Sequence, residues 1–320
     1  MSKRQNPSSF SGSASDREFL APFRLPEPST RRERVYAFVT FSPLYPLMFV
    51  SACAVAILYM SLLLQGLLSS SSALLLIAAF LLSFSVYSLN RVTDLEEDSI
   101  NLPDGGRSIK KNRDYLLFAS LESVNIAVVL AFFSYPSAII VILFAFFVAF
   151  FYGWGARRFR LKNIVLLKSI TVAGTMTLTA VALAFAVYAN SAFIVLTVTY
   201  FILVKILIAT MLLDVRDIEG DQKAGVRTIP VSLGLNKTRN LLLLLNSTLV
   251  PWVAFSLFRD IFYPYIFVLI LSVLYGYWSI LRFTRASAKT SRLYYSYVTG
   301  EWIILALYAT PFALGWPHIL

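Results

Sequence analysis

The chain has 320 residues, 58% of them hydrophobic, and a net charge of +11, with a mean hydropathy of +0.71. Soluble domains carry about 45–50% apolar residues, so the excess argues against a water-soluble globule. A single histidine, His318, and a single cysteine, Cys53, exclude an internal disulfide, a Cys- or His-rich metal site and a Ser-His-Asp triad.

The first 36 residues are polar and rich in Ser, Pro and Arg, and they read as a disordered tail. Residues 37–320 read as a single membrane domain. Its first apolar segment is too long for the core of a secretory signal, so it is expected to stay as a helix. Crossing the hydrocarbon core takes about 20 apolar residues. Nine segments qualify: 38–65, 71–89, 115–134, 137–154, 164–187, 191–213, 240–258, 262–281 and 296–316. The sequence therefore predicts an all-α, polytopic membrane protein with nine transmembrane helices in one bundle. Cys53 falls in the first segment, where a packed, inert thiol is expected.

The charges alternate along this series. Seven Lys and Arg residues precede the first segment, and the even-numbered links carry five, five, five and four, with Lys168, near the start of the fifth segment, counted in the fourth link. Of the remaining two, Arg259 lies in an odd-numbered link and Lys205 within the sixth segment. Basic residues are retained on cytoplasmic loops. The pattern thus predicts a cytoplasmic N-terminus in a cell membrane, and it accounts for the positive charge without a nucleic-acid partner.

Most acids beyond the tail form two clusters, at the ends of the second and sixth segments. The first reads Asn90-Arg-Val-Thr-Asp94-Leu-Glu-Glu-Asp98, the second Asp214-Val-Arg-Asp217-Ile-Glu-Gly-Asp221. Positions three and four apart share a helix face, so each cluster forms a polar stripe. Stacked carboxylates repel, and near a bilayer the cost grows. A counter-cation relieves it. Oxygen ligands alone select Mg²⁺ or Ca²⁺, and Mg²⁺ shares its shell between one or two carboxylates, water and phosphate oxygens. Asp94, Asp98, Asp217 and Asp221 are the candidate ligands, suited to a diphosphate bridged by Mg²⁺. Bases lie beside the acids: Arg107 and Lys110 follow the first cluster, Arg158 and Lys162 lie in the link after the fourth segment, and Lys223 follows the second cluster. Tyr152 closes the fourth segment beside a basic link, the best aromatic candidate for steadying an allylic cation.

These residues resemble the UbiA-type intramembrane prenyltransferases. That family's first motif, Asn-x₃-Asp-x₃-Asp, is matched by Asn90, Asp94 and Asp98. Its second, Asp-x₃-Asp with an earlier Asp, is matched by Asp217, Asp221 and Asp214. The continuation Gly220-Asp221-Gln-Lys-Ala-Gly225-Val-Arg-Thr228-Ile-Pro230 is also similar. The resemblance covers about residues 37–316. It implies a helical bundle around a central cavity, Mg²⁺ as cofactor, and catalytic roles for Asp94, Asp98, Asp217 and Asp221. It further implies contact with a polyprenyl diphosphate through Asn90, Arg107, Lys110, Tyr152, Arg158, Lys162, Asp214 and Lys223. The expected reaction passes a prenyl group to a lipophilic acceptor in the bilayer: a quinone precursor, a lipid, a carotenoid or a tetrapyrrole. Arg91 after Asn90, and the lack of an Arg-Pro pair between Asn101 and Lys110, leave the acceptor class open. A terpene cyclase of the same fold, or a cation-coupled transporter, are the alternatives.

Overall fold

Long apolar runs have one way to satisfy their own backbone in hydrocarbon, the α-helix, and every regular element among the described residues is helical. The computed structural model describes residues 44–93, 110, 112–154, 167–223, 225–285 and 294–315, all in one unit, Pro43–Leu320. The expected tail, 1–36, lies outside the described residues.

In chain order the helices are α1 Leu44–Leu64, α2 Ser72–Thr93, α3 Arg113–Ser134, α4 Ala138–Trp154, α5 Leu167–Val187, α6 Ala192–Arg216, α7 Ile218–Lys223, α8 Ile229–Leu233, α9 Leu235–Ser247, α10 Leu249–Phe258, α11 Ile266–Phe283, α12 Tyr294–Thr299 and α13 Glu301–Ala313. Among the described residues, seven helical runs are long and apolar enough to cross a membrane, with α9 and α10 counted as one, Leu235–Phe258. The apolar stretch of α4, Ala138–Phe151, is shorter.

The helices depart from the expected segments where proline, glycine or a cap intervenes. The run expected over 240–258 starts earlier, at Leu235, and breaks at Thr248. Pro251 has no N–H to give to Ser247, and its ring crowds that carbonyl. The run expected over 296–316 starts at Tyr294 and breaks at Gly300. The sixth runs past residue 213 to Arg216, which brings Asp214 inside α6.

Two main clusters form the core. One joins α2, α3 and α4 to parts of α1 and α5 through Leu75, Ala78, Ala127, Ala131 and Ile142. The other gathers α6 and the later helices around Phe201, Trp252 and Trp302. In it the rings of Phe201 and Trp252 stack at 5.0 Å. Small residues let α2 and α3 approach closely. There Ser85 Oγ donates to Ser120 O at 2.6 Å, and Ser120 Oγ returns a bond to Ser85 O at 2.8 Å. The outward faces of α3 and α4 are greasy, with Phe118, Phe132, Phe133, Phe144 and Phe147 all more than half exposed. Such a surface is stable against lipid and not against water.

Candidate active site

One face of each of several helices turns toward a shared cavity with about 1130 Å³ of empty space, its mouth included. The face of α6 supplies Ile206, Ala209, Thr210, Leu213, Asp214 and Asp217, the three-and-four spacing of a single helical stripe. Arg216 also reaches the wall. Opposite lie Tyr87, Asn90 and Arg91 of α2, Val50, Cys53 and Ile57 of α1, and Ser169, Val172 and Met176 of α5. Thr299 and Trp302 line it from the last helices. Cys53 is buried and free, but it forms part of the cavity wall.

The second acidic cluster is shaped by where α6 stops. Asp217 caps the helix with φ −93° and ψ 9°, its N–H still bonded to Leu213 O. The chain then turns into α7, whose end follows from Gly225. This glycine adopts φ +72°, a left-handed conformation that side chains resist. Val226 N–H bonds Asp221 O at 2.8 Å and Gly225 N–H bonds Gln222 O at 3.2 Å, the paired closure of a Schellman motif. Pro230 sits in the first turn of α8, where its missing N–H costs nothing. The spaced Gly and Pro of the second motif thus fold the link around the carboxylates.

The expected residues separate into three groups. Asn90, Asp214 and Asp217 meet at the cavity. Asp221 is buried at 5% exposure in α7, outside the cavity lining, and Lys110 and Lys223 are exposed away from it. Asp94, Asp98, Arg107, Arg158 and Lys162 lie outside the described residues. Tyr152 is in the last turn of α4, and its side chain falls outside the description.

Several contacts were not legible in the motifs. Ser169 Oγ donates a hydrogen bond to Asp214 Oδ2. The Arg216 guanidinium grips both oxygens of Asp217, with Nε–Oδ1 at 2.7 Å and Nη2–Oδ2 at 2.8 Å. Tyr294 Oη donates to Leu212 O at 2.6 Å, tying α12 to the end of α6. The motif position of Arg216, between two aspartates, was the one available signal. Ser169 and Tyr294 lie in other segments and had none.

The donor set suits a hard divalent cation. Asp214 and Asp217 present oxygens from α6, and Asn90 Oδ1 is buried without a hydrogen-bond partner. An orphaned acceptor carries a desolvation penalty, which a cation would relieve. Among the described residues no three Asp, Glu, His or Cys side chains converge on one point.

The cavity borders a second, apolar pocket with about 560 Å³ of empty space, also counting open solvent. The two share Ile57, Tyr87 and Met176. From Tyr87 the apolar pocket extends along α2 to Ala79, about 12 Å at 1.5 Å per residue. A chamber that carries Asn90, Asp214, Arg216 and Asp217 in an otherwise largely apolar wall thus adjoins a more apolar one.

The architecture and sequence have relatives. A UbiA homolog from Archaeoglobus fulgidus, solved bound to GPP and Mg²⁺, superposes with a TM-score of 0.65 at 14% identity, covering 86% of this chain and 99% of that one. An apo UbiA homolog from Aeropyrum pernix K1 gives 0.61 at 17% identity, over 81% and 98%. A digeranylgeranylglyceryl phosphate synthase from Pyrococcus furiosus is 33% identical over 150 residues, 46% of this chain and 51% of that protein. The chain therefore matches about half the length of this relative. The model of the UbiA prenyltransferase family matches residues 49–298, most of the chain, and with the fold in agreement this protein belongs to the UbiA prenyltransferase family.

Proposed function

We propose that this protein is an Mg²⁺-dependent prenyltransferase of the membrane, acting on a polyprenyl diphosphate and a lipophilic acceptor. The observation that carries the reading is the pairing of chambers. Asn90, Asp214 and Asp217 set polar groups in the wall of a cavity that adjoins a more apolar one through Ile57, Tyr87 and Met176. A prenyl diphosphate has this same division, a charged head on an apolar chain. Fold relatives solved with GPP and with DMAPP, each with Mg²⁺, support the pairing.

In this account Asp94, Asp98, Asp217 and Asp221 hold the metal, and Asp214 and Asn90 orient the head group. Bound Mg²⁺ would neutralise the diphosphate and offset the charge that grows as it leaves. Arg107, Lys110, Arg158, Lys162 and Lys223 are the bases assigned to the diphosphate charge. Tyr87 and Trp302, which line the cavity, join Tyr152 as the aromatic faces for an allylic cation. The apolar walls keep water from the cation until the acceptor attacks.

The reading extends to topology. Nine membrane passes arise if the short α4 and the α12–α13 run cross together with the seven long spans. They form one domain, 37–320, around the central cavity. The Lys and Arg alternation then puts the N-terminus and the mouth of the site on the cytoplasmic side.

The test is to incubate purified protein with labelled geranylgeranyl diphosphate, Mg²⁺ and a membrane lipid extract. A labelled lipid whose formation requires the extract is the expected result. A labelled hydrocarbon formed without extract would replace the reading with a cyclase. Cation flux into liposomes without diphosphate release would replace it with a transporter.

A further inference from the structure

We propose that Arg216 is an exchangeable countercharge: in the metal-free protein it occupies the face of Asp217 that the metal takes, and on metal binding it passes to the substrate diphosphate. The inference rests on the reading of Asp217 as a metal ligand. Neighbouring residues on a regular helix point about 100° apart and do not chelate one another. Here α6 ends at Arg216, and the cap conformation of Asp217 turns its carboxylate back under the guanidinium. The fork takes both oxygens at once, at 2.7 and 2.8 Å.

Three features make this grip exchangeable rather than permanent. First, both groups line the cavity, and their side chains keep 25% and 20% of their exposure, so neither is locked in the core. Second, a bidentate fork saturates the converging lone pairs of a carboxylate, the same pairs a hard cation uses; the two occupants compete for one face. Third, the displaced guanidinium stays in the chamber where the diphosphate arrives. Its planar fork matches phosphate oxygens as well as carboxylate oxygens. Without a countercharge, Asp214 and Asp217 would place two negative charges one helical turn apart at the cavity wall, and Arg216 offsets that repulsion until metal and substrate replace it. An ammonium could supply the charge but not the fork.

The proposal predicts opposite signs for two affinities. Mn²⁺ binding, followed by electron paramagnetic resonance on the full-length protein in nanodiscs without substrate, should tighten about fivefold in Arg216→Gln. Inorganic diphosphate in the presence of Mg²⁺ should bind that variant about tenfold more weakly than the wild type. Arg216→Lys, which keeps the charge and loses the fork, should show smaller changes of the same signs, and it serves as the test should the Gln variant misfold. A structural role alone would weaken both affinities or neither, and either result overturns the exchange. Asp217→Asn separates the two levels of the argument. If it abolishes Mn²⁺ binding while the Arg216 variants bind no tighter, only the exchange fails. If it leaves Mn²⁺ binding unchanged, the metal assignment fails and the exchange with it.

Discussion

Asn90 faces Asp214 and Asp217 across the cavity from a helix more than a hundred residues earlier in the chain. The stripe at intervals of three and four made this meeting legible in advance, because periodicity fixes which side chains share a helix face. Arg216 was not legible as Asp217's partner, since a basic residue near a membrane link has a topological explanation already. Ser169 was hidden in an apolar segment, and only packing of α5 against α6 brings its hydroxyl to Asp214. Both are 5% exposed or less. A hydrogen bond to a buried charge is worth about 1.5–3 kcal/mol. Ser169→Ala should therefore lower kcat/KM for diphosphate release roughly tenfold or more, as steady-state assays would show. Asp214→Asn should lower it further, because the charge goes as well as its alignment.

At the scale of elements, the helices followed the apolar runs, while their interruptions followed local chemistry. Pro251 divides α9 from α10, and Gly300 divides α12 from α13. Lys205 was readable as a base deep inside an apolar segment, but its partner was not. In the structure Lys205 Nζ meets Glu301 Oε1 at 2.7 Å, both side chains being under a tenth exposed. Lys205 also donates to Ser272 O at 2.8 Å, and Ser272 Oγ donates to Glu301 at 2.6 Å. This network ties α6, α11 and α13 together behind the cavity wall. Removing one partner of a buried ion pair costs about 3–5 kcal/mol. Glu301→Gln and Lys205→Met should each lower the melting temperature in detergent sharply. The double change Lys205→Met/Glu301→Met should recover part of the loss, since no charge is then stranded. Gly276 leaves space beside this network: a Cβ there would stand 3.0 Å from Lys205 Nζ and 2.1 Å from Oδ1 of the neighbouring Asn246. Gly276→Ala should destabilise by about 1–3 kcal/mol, measurable in the same melting experiment.

Seen whole, the molecule is greasy outside, with phenylalanines exposed along α3 and α4, and polar at a cavity within. Composition foretold the first property and the motifs the second. A cavity was expected, but the lining of the apolar pocket between α1, α2, α4 and α5 was not, because it mixes small and large residues with no spacing unlike ordinary core. Ala79, Ala145 and Ala180 line it, and their small side chains leave the room. Ala180→Phe should fill that room. We expect kcat/KM to fall at least tenfold for geranylgeranyl diphosphate while dimethylallyl diphosphate is spared, a comparison of donors at fixed acceptor. Equal losses for both donors would place the prenyl chain elsewhere.

The central claim is that carboxylates from two separate helix ends hold a prenyl diphosphate through divalent cations. It is tested most directly by diphosphate release from labelled geranylgeranyl diphosphate in nanodiscs, with Mg²⁺ and with EDTA, for the wild type, Asp94→Ala and Asp217→Ala. The account predicts Mg²⁺-dependent release by the wild type, abolished by EDTA and by either substitution in protein that remains folded. Undiminished release in both variants would contradict it.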